Sequence, residues 1–444
     1  MSKFVQKLVT VFHFIKYRYF MNFKSRECLL KWQEKKIFSL LKIVTKRSPF
    51  YSSLVDVSYL KYPIVDKAVM MTNFNELNTR ELRRDEALQL ALKSERDRDF
   101  SPMINGVTIG LSSGTSGHRG LFLASAYERA KYAGIILAKA LPRGRVFKKN
   151  KIALFLRANS NLYEAVGSRL IDFRFFDICK DIDSHISILN KMQPDLLIAQ
   201  ASVLRYLAAK QKSGELKINP IRIFSAAEVL EDFDRDFIKA AFKQNIHQIY
   251  QCTEGFVAIS CEFGELHLNE DLMLIEKEVI GEADHKFQPI LTDFNRITQP
   301  IIRYRLNDIL TEETKACRCG SVYRRLSSIE GRHDDVVYFM SKLDGQYIHI
   351  WSDLIRARIL YSGDEILEYR VHQNKDASLH IMVKTNSNYE TVCQKIRTEM
   401  EALARDKKCL LPTISFSEFT LNADFTMKQR RIRSDFQALD NVRN

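Results

Sequence analysis

The feature that most constrains the fold is a regular alternation of short apolar runs and amphipathic segments between residue 100 and about residue 255. Four of the runs have the composition of buried parallel strands: KIALFLR (Lys151–Arg157), DLLIAQ (Asp195–Gln200), IRIFSA (Ile221–Ala226) and IHQIY (Ile246–Tyr250). The segments Ser202–Lys212 and Glu231–Asn245 carry a helical pattern between them. This alternation predicts an α/β fold with doubly wound sheets. Ligands of such sheets bind at the carboxyl ends of the strands.

The length of the chain and a change in its pattern of apolar runs predict two unequal domains. A chain of 444 residues is too long for one compact core. After residue 260 the apolar runs become shorter, which indicates an appended β subdomain. Beyond Gly331 a mixed pattern of strands and helices predicts a small α+β domain. We expect a large domain over residues 1–331 and a small one over residues 332–444.

A glycine- and hydroxyl-rich run follows the apolar residues TIGL and precedes a helical pattern at 126–140. The run is LSSGTSGHRG (Leu111–Gly120), and its candidate ligand-binding residues are Ser112, Ser113, Gly114, Thr115, Ser116 and Gly117. Closely spaced N–H groups on a flexible backbone bind phosphate oxygens. The run is not a Walker loop, because no Lys-Ser/Thr pair follows the glycines. Taken alone, it is as typical of a surface turn as of a phosphate loop.

Four further motifs follow in order: IYQCTEG (Ile249–Gly255), RYRLND (Arg303–Asp308), EGRHDD (Glu330–Asp335) and TMKQRR (Thr426–Arg431). Together with the glycine-rich run, this set resembles the adenylate-forming superfamily of acyl-CoA synthetases, nonribosomal peptide adenylation domains and luciferases. Within it the set looks most like the phenylacetate–CoA ligase branch. The resemblance extends from RSPFY to Lys428, nearly the whole chain. It implies a large domain, a small mobile lid domain and an active site between them.

The resemblance implies an enzyme that uses ATP and Mg²⁺ to convert a carboxylic acid to an acyl-adenylate with release of pyrophosphate. Transfer of the acyl group to the thiol of CoA or of a carrier-protein phosphopantetheine would follow. Asn159, Asn161 and Tyr163 lie where relatives begin their acyl pocket, and they favour an aryl or other small organic acid. Two alternatives stay open: transfer to an amine or hydroxyl acceptor in natural-product or polysaccharide biosynthesis, and a non-catalytic nucleotide-binding protein.

Site residues are carried over from the resemblance motif by motif. Glu254 would hold Mg²⁺, as a carboxylate near a phosphate loop can, Thr253 would approach the α-phosphate and Tyr250 would flank the adenine. The segment Ala226, Ala227 and Glu228 would meet the adenine edges.

The remaining motifs supply the ribose contact, the hinge and a catalytic lysine. Asp308 would accept hydrogen bonds from both ribose hydroxyls, and Arg332 would reach the nucleotide. Asp334 would be the hinge of the small domain. Lys428 would bridge the carboxylate and the α-phosphate as charge develops. The pairs Leu306-Asn307 and His118-Arg119 depart from the common pattern, and Arg303 and Arg305 are assigned no role.

Three of the eight cysteines and one histidine suggest a metal site. Cys261 and His267 are separated by five residues, and Cys317 and Cys319 by one. Three thiolates and one imidazole suit a structural zinc ion without an open position. Cys252 is an alternative ligand, and reduced core thiols are the other interpretation.

A net charge of +14 is concentrated near the N-terminus, where aromatic residues interleave with lysines and arginines. We expect the aromatic side chains to pack on the main domain while the cations stay solvated. Attraction of an acidic carrier protein, CoA or ATP, and contact with an anionic membrane, are the less favoured interpretations. No nucleic-acid-binding motif accompanies the charge. Without a signal peptide or a membrane-spanning apolar run, a cytoplasmic protein is expected. The oligomeric state stays open, although a dimer is plausible.

Overall fold

A computed structural model describes residues 1–112, 120–146, 148–157, 169–280, 285–332, 337–350, 352–363, 365–419, 431–436 and 442–443. For residues 331, 332, 349, 353, 442 and 443 it describes the backbone alone. Over this part of the chain the fold is a mixed α/β fold, as predicted.

The helices have these bounds: α1 Lys3–Ile15, α2 Arg26–Arg47, α3 Pro49–Ser52, α4 Lys67–Thr72, α5 Phe74–Leu77, α6 Arg84–Asp97, α7 Ala126–Ala140, α8 Ile186–Met192, α9 Ala201–Ser213, α10 Asp232–Phe242, α11 Ser352–Tyr361 and α12 Tyr389–Asp406. A π-helical turn (Lys16–Phe20) and two 3₁₀ turns (Tyr59–Lys61, Ile182–His185) accompany them.

The strands of the first 332 residues are β1 Met103–Ile104, β2 Val107–Leu111, β3 Leu121–Ser125, β4 Asn150–Leu156, β5 Ile171–Asp177, β6 Leu196–Ala199, β7 Arg222–Ala226, β8 Ile246–Gln251, β9 Phe256–Ser260, β10 Leu266–Leu268, β11 Met273–Val279, β12 Lys286–Asp293, β13 Tyr304–Arg305, β14 Asp308–Glu313 and β15 Arg325–Arg332. Those that follow are β16 Val337–Met340, β17 Tyr347–Ile350, β18 Ile366–Gln373, β19 Leu379–Thr385, β20 Ile414–Glu418, β21 Ile432–Ser434 and β22 Val442–Arg443.

The predicted parallel strands are confirmed as β4, β6, β7 and β8 of one large sheet. The parallel order is β5-β4-β6-β7-β8, with register pairs such as Leu197↔Ile223 and Ile223↔Ile246. Both predicted helices are present as α9 and α10, and their apolar faces pack on the strands in one buried cluster. The carboxyl ends of these strands therefore share one edge of the sheet.

The expectation of an appended β subdomain after residue 260 is wrong in one respect. β9 pairs antiparallel with β8, through Ile249↔Ile259, and β10, β15, β14, β12 and β11 extend the same twelve-stranded sheet. The short strands of this region thus continue the main sheet, because β8 leaves an unpaired edge whose N–H and C=O groups β9 satisfies.

The glycine-rich run is followed by a strand, β3, and not directly by a helix. β2 and β3 form an antiparallel hairpin with Leu111↔Leu121 at its end, and α7 begins only after Ser125. Residues 113–119, which hold Ser113, Gly114, Thr115, Ser116 and Gly117, lie outside the described residues. At the base of the run, the Gly120 N–H donates to Ser112 Oγ at 2.8 Å, and Ser112 N–H donates to the Gly120 carbonyl at 2.8 Å. The first turn of α7, which begins beyond β3, is capped by the side chains of Ser125 and Glu128, which form a capping box.

The described residues divide into two compact units. The larger comprises residues 1–306 and 310–328, and the smaller residues 307–309 and those from 329 onward. In the smaller unit, sheets of order β16-β17-β22 and β20-β19-β18-β21 share an apolar core with α11 and α12. The predicted bounds, 1–331 and 332–444, and the predicted roles of the two domains, nucleotide binding and a mobile lid, stay predictions. Among the described helices, none combines the length and the apolar character that crossing a bilayer requires.

Candidate active site

A tight turn between β8 and β9 positions Glu254 at the carboxyl end of β8. The Cys252 N–H donates to the Gly255 carbonyl at 3.0 Å, and the Gly255 N–H donates to the Cys252 carbonyl at 3.3 Å. Glu254 is only 7% exposed, and its Oε2 accepts a hydrogen bond from Thr253 Oγ1 at 2.9 Å. Tyr250, the predicted adenine neighbour, is buried near the end of the same strand.

Two residues that the sequence did not single out support this turn. Tyr304, in β13, is hydrogen-bonded to Glu254, and burial together with the Glu254 carboxylate raises the pKa of the Tyr304 phenol. Arg296 donates from Nη1 to the Thr253 carbonyl at 2.9 Å. Its Nη2 donates at 3.1 Å to Gln299, which hydrogen-bonds the backbone of β3 at Leu121 and Leu123. The Glu254 turn is thereby linked to the hairpin that carries the glycine-rich run.

Gly255 is explained by close packing beneath the turn. A Cβ at this position would lie 2.9 Å from Met273 Cε and 3.1 Å from Asp293 Oδ2, so no larger residue fits without displacement. Asp293 is buried, which raises the pKa of its carboxyl group. Burial also lowers the pKa of nearby Lys131 to about 8, although Asp293 acts in the opposite direction. No sequence pattern marked either residue.

The segment at the end of β7 is strained at the predicted adenine contact. Ala227 has φ 66°, a left-handed conformation that costs a non-glycine residue of order 1 kcal/mol or more. Glu228 accepts a hydrogen bond from the Ser202 N–H in the first turn of α9 at 3.0 Å. Its carboxylate therefore has a capping role, which explains the residue without a ligand. The strained backbone of Ala227 has no such structural explanation.

Buried polar atoms without partners collect at the same edge of the sheet. Gln200 Oε1, Ser202 Oγ and Ser225 Oγ make no hydrogen bond to any residue that the structure describes. Gln200 and Ser225 lie at the carboxyl ends of β6 and β7. An unpaired buried polar atom costs ~1–3 kcal/mol, so this edge suits a ligand with polar groups.

The remaining predicted residues are not brought together by the described part of the structure. Asp308 is the first residue of β14 and is half-buried, and residues 307–309 group with the smaller unit. Arg332 ends β15, but its side chain is outside the description, as are Asp334 and Lys428. The acyl-pocket candidates Asn159, Asn161 and Tyr163 are outside it as well.

The arginines near these motifs have structural partners, which accords with assigning them no role. Arg303 pairs with Glu276 at 2.9 Å, and Arg305 pairs with Glu278 at 2.7 Å. In the smaller unit, Arg431 pairs with Glu368 at 2.6 Å, and both side chains are largely buried. Arg431 therefore has a structural partner, and the catalytic role of Lys428 stays a prediction.

The four metal-ligand candidates lie together. Cys261 follows β9, His267 lies in β10, and Cys317 and Cys319 lie in the connection between β14 and β15. One potential ligand atom from each residue lies within 4.8 Å of all the others. Cys252 is not in this set, and its thiol donates weakly to the Gly255 carbonyl at 3.6 Å.

The spacing of the donor atoms matches tetrahedral coordination. Zinc–sulfur bonds of about 2.3 Å place two ligand sulfurs about 3.8 Å apart. The Cys261 and Cys317 sulfurs are 3.8 Å apart, and Cys319 Sγ is 3.4 Å from His267 Nε2. His267 Nδ1 lies 3.3 Å from the Tyr323 carbonyl. If the ring proton is on Nδ1, His267 donates a hydrogen bond to that carbonyl. The Nε2 lone pair is then available on the side of the three thiols.

Comparison with solved structures shows which known proteins share this fold. A structure of 2-hydroxyisobutyryl-CoA ligase in the postadenylation state, in complex with R3-HIB-AMP, matches with a TM-score of 0.64, covering 92% of this chain and 89% of that one at 14% identity. The chain has the fold of the adenylate-forming ligases. GH3.15 acyl acid amido synthetase matches with a TM-score of 0.55 at 12% identity, covering 88% and 87%.

The sequence comparisons are weaker. Protein CapK of Staphylococcus aureus is 23% identical over 417 residues, which is 87% of either chain. No protein-family model matches the chain. The predicted resemblance to adenylate-forming ligases is confirmed at the level of the fold, whereas the phenylacetate–CoA ligase branch stays a prediction.

Proposed function

We propose that this protein activates a carboxylic acid with ATP and Mg²⁺ to form an acyl-adenylate, and then transfers the acyl group to a second nucleophile. The observation that carries the proposal is the placement of Glu254, a buried carboxylate at the carboxyl end of β8 in a chain with the adenylate-forming ligase fold. The strained Ala227 and the unpaired polar atoms of Gln200 and Ser225 support a ligand at the same edge.

The first half-reaction is a displacement at phosphorus. A carboxylate oxygen of the acid attacks the α-phosphorus, a C–O–P linkage forms, and the bond between the α-phosphorus and the bridging oxygen breaks. Pyrophosphate leaves with that oxygen. Negative charge on the phosphates rises in the transition state, so fixed cations lower the barrier.

The chain offers a residue for each need of this step. Glu254 would hold Mg²⁺, and Thr253 would approach the α-phosphate. Tyr250 and the 226–228 segment would contact the adenine, and Asp308 would bind the ribose. Lys428, with its point charge on a flexible stem, would bridge the carboxylate and the α-phosphate. Arg332 would reach the nucleotide, and Asp334 would be the hinge for the second half-reaction.

In the second half-reaction a thiolate attacks the acyl carbon, a thioester forms, and AMP leaves. The thiol of CoA or of a carrier-protein phosphopantetheine is the proposed acceptor, since several fold neighbours are CoA ligases. An amine acceptor is the second candidate, because the fold is shared with GH3.15 acyl acid amido synthetase. An amide would then form in place of the thioester.

We further propose that Cys261, His267, Cys317 and Cys319 bind one structural Zn²⁺. The four side chains would fill all four coordination positions of a tetrahedral zinc ion, which leaves none for a substrate. The ion would join the β9–β10 turn to the β14–β15 connection.

The route is tested by labelling the carboxylate of the acid with ¹⁸O. Attack by the carboxylate on the α-phosphorus transfers one labelled oxygen to the AMP that is released. Label in AMP, with no ADP formed, is expected. Label in inorganic phosphate would contradict the proposal, because it would indicate an acyl-phosphate. Product analysis with CoA, a phosphopantetheinylated carrier protein and simple amines then separates the two acceptor classes.

A further inference from the structure

The N-terminal helix α1 packs on α7 by one face only. A Cβ at Gly134 of α7 would lie 2.3 Å from the Thr10 carbonyl oxygen, so the two helices approach as closely as backbone atoms allow. Thr10 Oγ1 donates to the Ala130 carbonyl at 3.0 Å, and His13 is buried beside Tyr127. Just beyond α1, Arg18 donates to the carbonyls of Ala138 and Leu141 at the end of α7. The helix is thus firmly held.

The opposite face of α1 is apolar and exposed. It carries a set that we call the N-terminal stripe: Phe4, Leu8, Val11, Phe12 and Ile15. Phe4 is 69% exposed and Phe12 is 62% exposed. The positions follow the helical spacing i, i+4, i+7, i+8 and i+11, which places them on one side of the helix. Tyr19 and Phe20 extend the exposed apolar surface into the π-helical turn.

The expectation that the aromatic residues pack on the main domain is met only in part. Phe14 and Tyr17 pack against the α7 cluster. The ring of Phe23 lies beside those of Trp32 and Tyr323. The stripe and Phe20 are exposed instead. A contiguous exposed apolar surface on a firmly held helix indicates a binding surface.

The charge around the stripe is of one sign. The first 26 residues contain no Asp or Glu, and the first acidic residue is Glu27. Lys3 and Lys7 are exposed, and on a helical projection they flank one side of the stripe. Lys16 flanks the other side, but it is half-buried, with its Nζ 5.5 Å from the centre of the Trp32 ring. Lys24 follows, also exposed. An apolar stripe bordered by cations is the pattern of helices that lie in the plane of a membrane interface.

We propose that the N-terminal stripe docks this protein onto an anionic lipid surface, with α1 lying in the plane of the membrane. Its phenylalanines would enter the boundary between headgroups and acyl chains, while the exposed Lys3 and Lys7 contact lipid phosphates. A second copy of the chain fits less well, because pairing two stripes would bring these lysines against their own counterparts. This proposal does not depend on the proposed adenylation. If both are correct, the reaction takes place at a membrane surface.

Flotation of the full-length protein with vesicles tests the proposal. Vesicles of equal parts phosphatidylglycerol and phosphatidylcholine are expected to carry the protein upward, and phosphatidylcholine alone much less. Binding to the anionic vesicles should weaken as salt is added. Phe4→Ser with Phe12→Ser should lower the partition coefficient roughly tenfold or more, because two large apolar side chains are lost from the interface. Lys3→Gln with Lys7→Gln should lower it roughly tenfold and flatten its salt dependence.

The matched control is Leu60→Ser with Leu343→Ser, which removes two equally exposed apolar side chains elsewhere on the surface. This control should float as the wild type does, and circular dichroism should show all variants folded. Absence of flotation by the wild type, or equal flotation by the Phe4/Phe12 variant, would overturn the proposal. So would a fall in molar mass by light scattering in the Phe4/Phe12 variant, because the stripe would then join two copies. The Phe4/Phe12 variant should keep the adenylation rate of the wild type, so that a loss of flotation can be distinguished from a loss of the proposed activity.

Discussion

The phenol of Tyr304 is hydrogen-bonded to the carboxylate of Glu254, fifty residues earlier in the chain, and so joins β13 to the turn between β8 and β9. A buried carboxylate that is to hold Mg²⁺ needs such a partner, because its orientation decides where the metal sits. Tyr304 is therefore a positioning residue in this account.

Replacement of Tyr304 by Phe should reduce adenylation roughly 10–100-fold and raise the Mg²⁺ concentration needed for half-maximal rate. The measurement is initial rate against Mg²⁺ concentration. Tyr59 offers a matched control, because its hydroxyl bonds Glu276 at 2.7 Å in the same sheet. Tyr59→Phe loses a comparable bond and should leave the Mg²⁺ requirement unchanged. An unaltered Mg²⁺ requirement in Tyr304→Phe would remove its positioning role.

Protein purified without chelators should contain about one zinc ion per chain. Replacement of Cys317 by Ser should abolish stoichiometric zinc and lower the melting temperature by several degrees, since structural zinc contributes directly to folding. Cys179→Ser, at an exposed cysteine outside the cluster, should retain the metal. Elemental analysis with thermal melts decides the point. A wild-type protein free of zinc would mean that the four residues are reduced thiols and a core histidine.

Gly134→Ala should destabilise the protein by roughly 1–3 kcal/mol, because the new methyl group displaces α1 from α7. Denaturant unfolding measures the loss, and hydrogen exchange should show that the amides of α1 lose protection. The three nearest atoms to the new Cβ all belong to α1. With residues 1–22 deleted, the same substitution should instead stabilise by up to about 1 kcal/mol, as alanine does within a helix. An equal cost in both backgrounds would contradict the packing described here.

Glu128 joins α7 to the loop after β12, since its Oε1 accepts the N–H groups of Ile297 and Thr298 at 2.7 Å and 2.8 Å. Burial acts to raise the pKa of this carboxyl group, but hydrogen bonds from Thr298 and Ser125 prevail and lower it. Stability from a lowered pKa is present above the unfolded value and is lost as pH falls through the folded one.

Glu128→Gln should therefore cost roughly 1–3 kcal/mol at neutral pH, and the cost should shrink as pH falls below about 4. Urea unfolding at several pH values measures both effects. Glu27→Gln removes an exposed carboxylate paired with Lys31 and should change stability by under ~1 kcal/mol. A cost for Glu128→Gln that persists undiminished in acid would show that the charge is not what stabilises this junction.

The parallel strands could be predicted from sequence because each is buried on both faces and so appears as a continuous apolar run. β5 was missed for the opposite reason. It lies at the edge of the sheet, and the exposed Asp172 and Arg174 interrupt its apolar residues. β3 was missed because it is only five residues long and lies directly between the glycine-rich run and the helical pattern at 126–140.

The site was predictable where a short motif carries the chemistry. The TEG turn is local in sequence, and the metal-ligand candidates form two local pairs, which the structure brings together. Tyr304, Arg296 and the φ of Ala227 depend on contacts between distant segments, which periodicity and spacing do not encode. The exposure of the N-terminal stripe was missed because an amphipathic pattern does not reveal which face of a helix is covered.

The central claim is tested most directly by ATP–pyrophosphate exchange with Mg²⁺, no acceptor, and a panel of aryl, hydroxy, amino and fatty acids. The account predicts exchange with at least one acid class in the wild type. It predicts equal exchange in Lys375→Ala, at an exposed lysine of the smaller unit, and a loss of roughly a hundredfold or more in Lys428→Ala. Undiminished exchange in Lys428→Ala, or no exchange by the wild type with any acid, would contradict it.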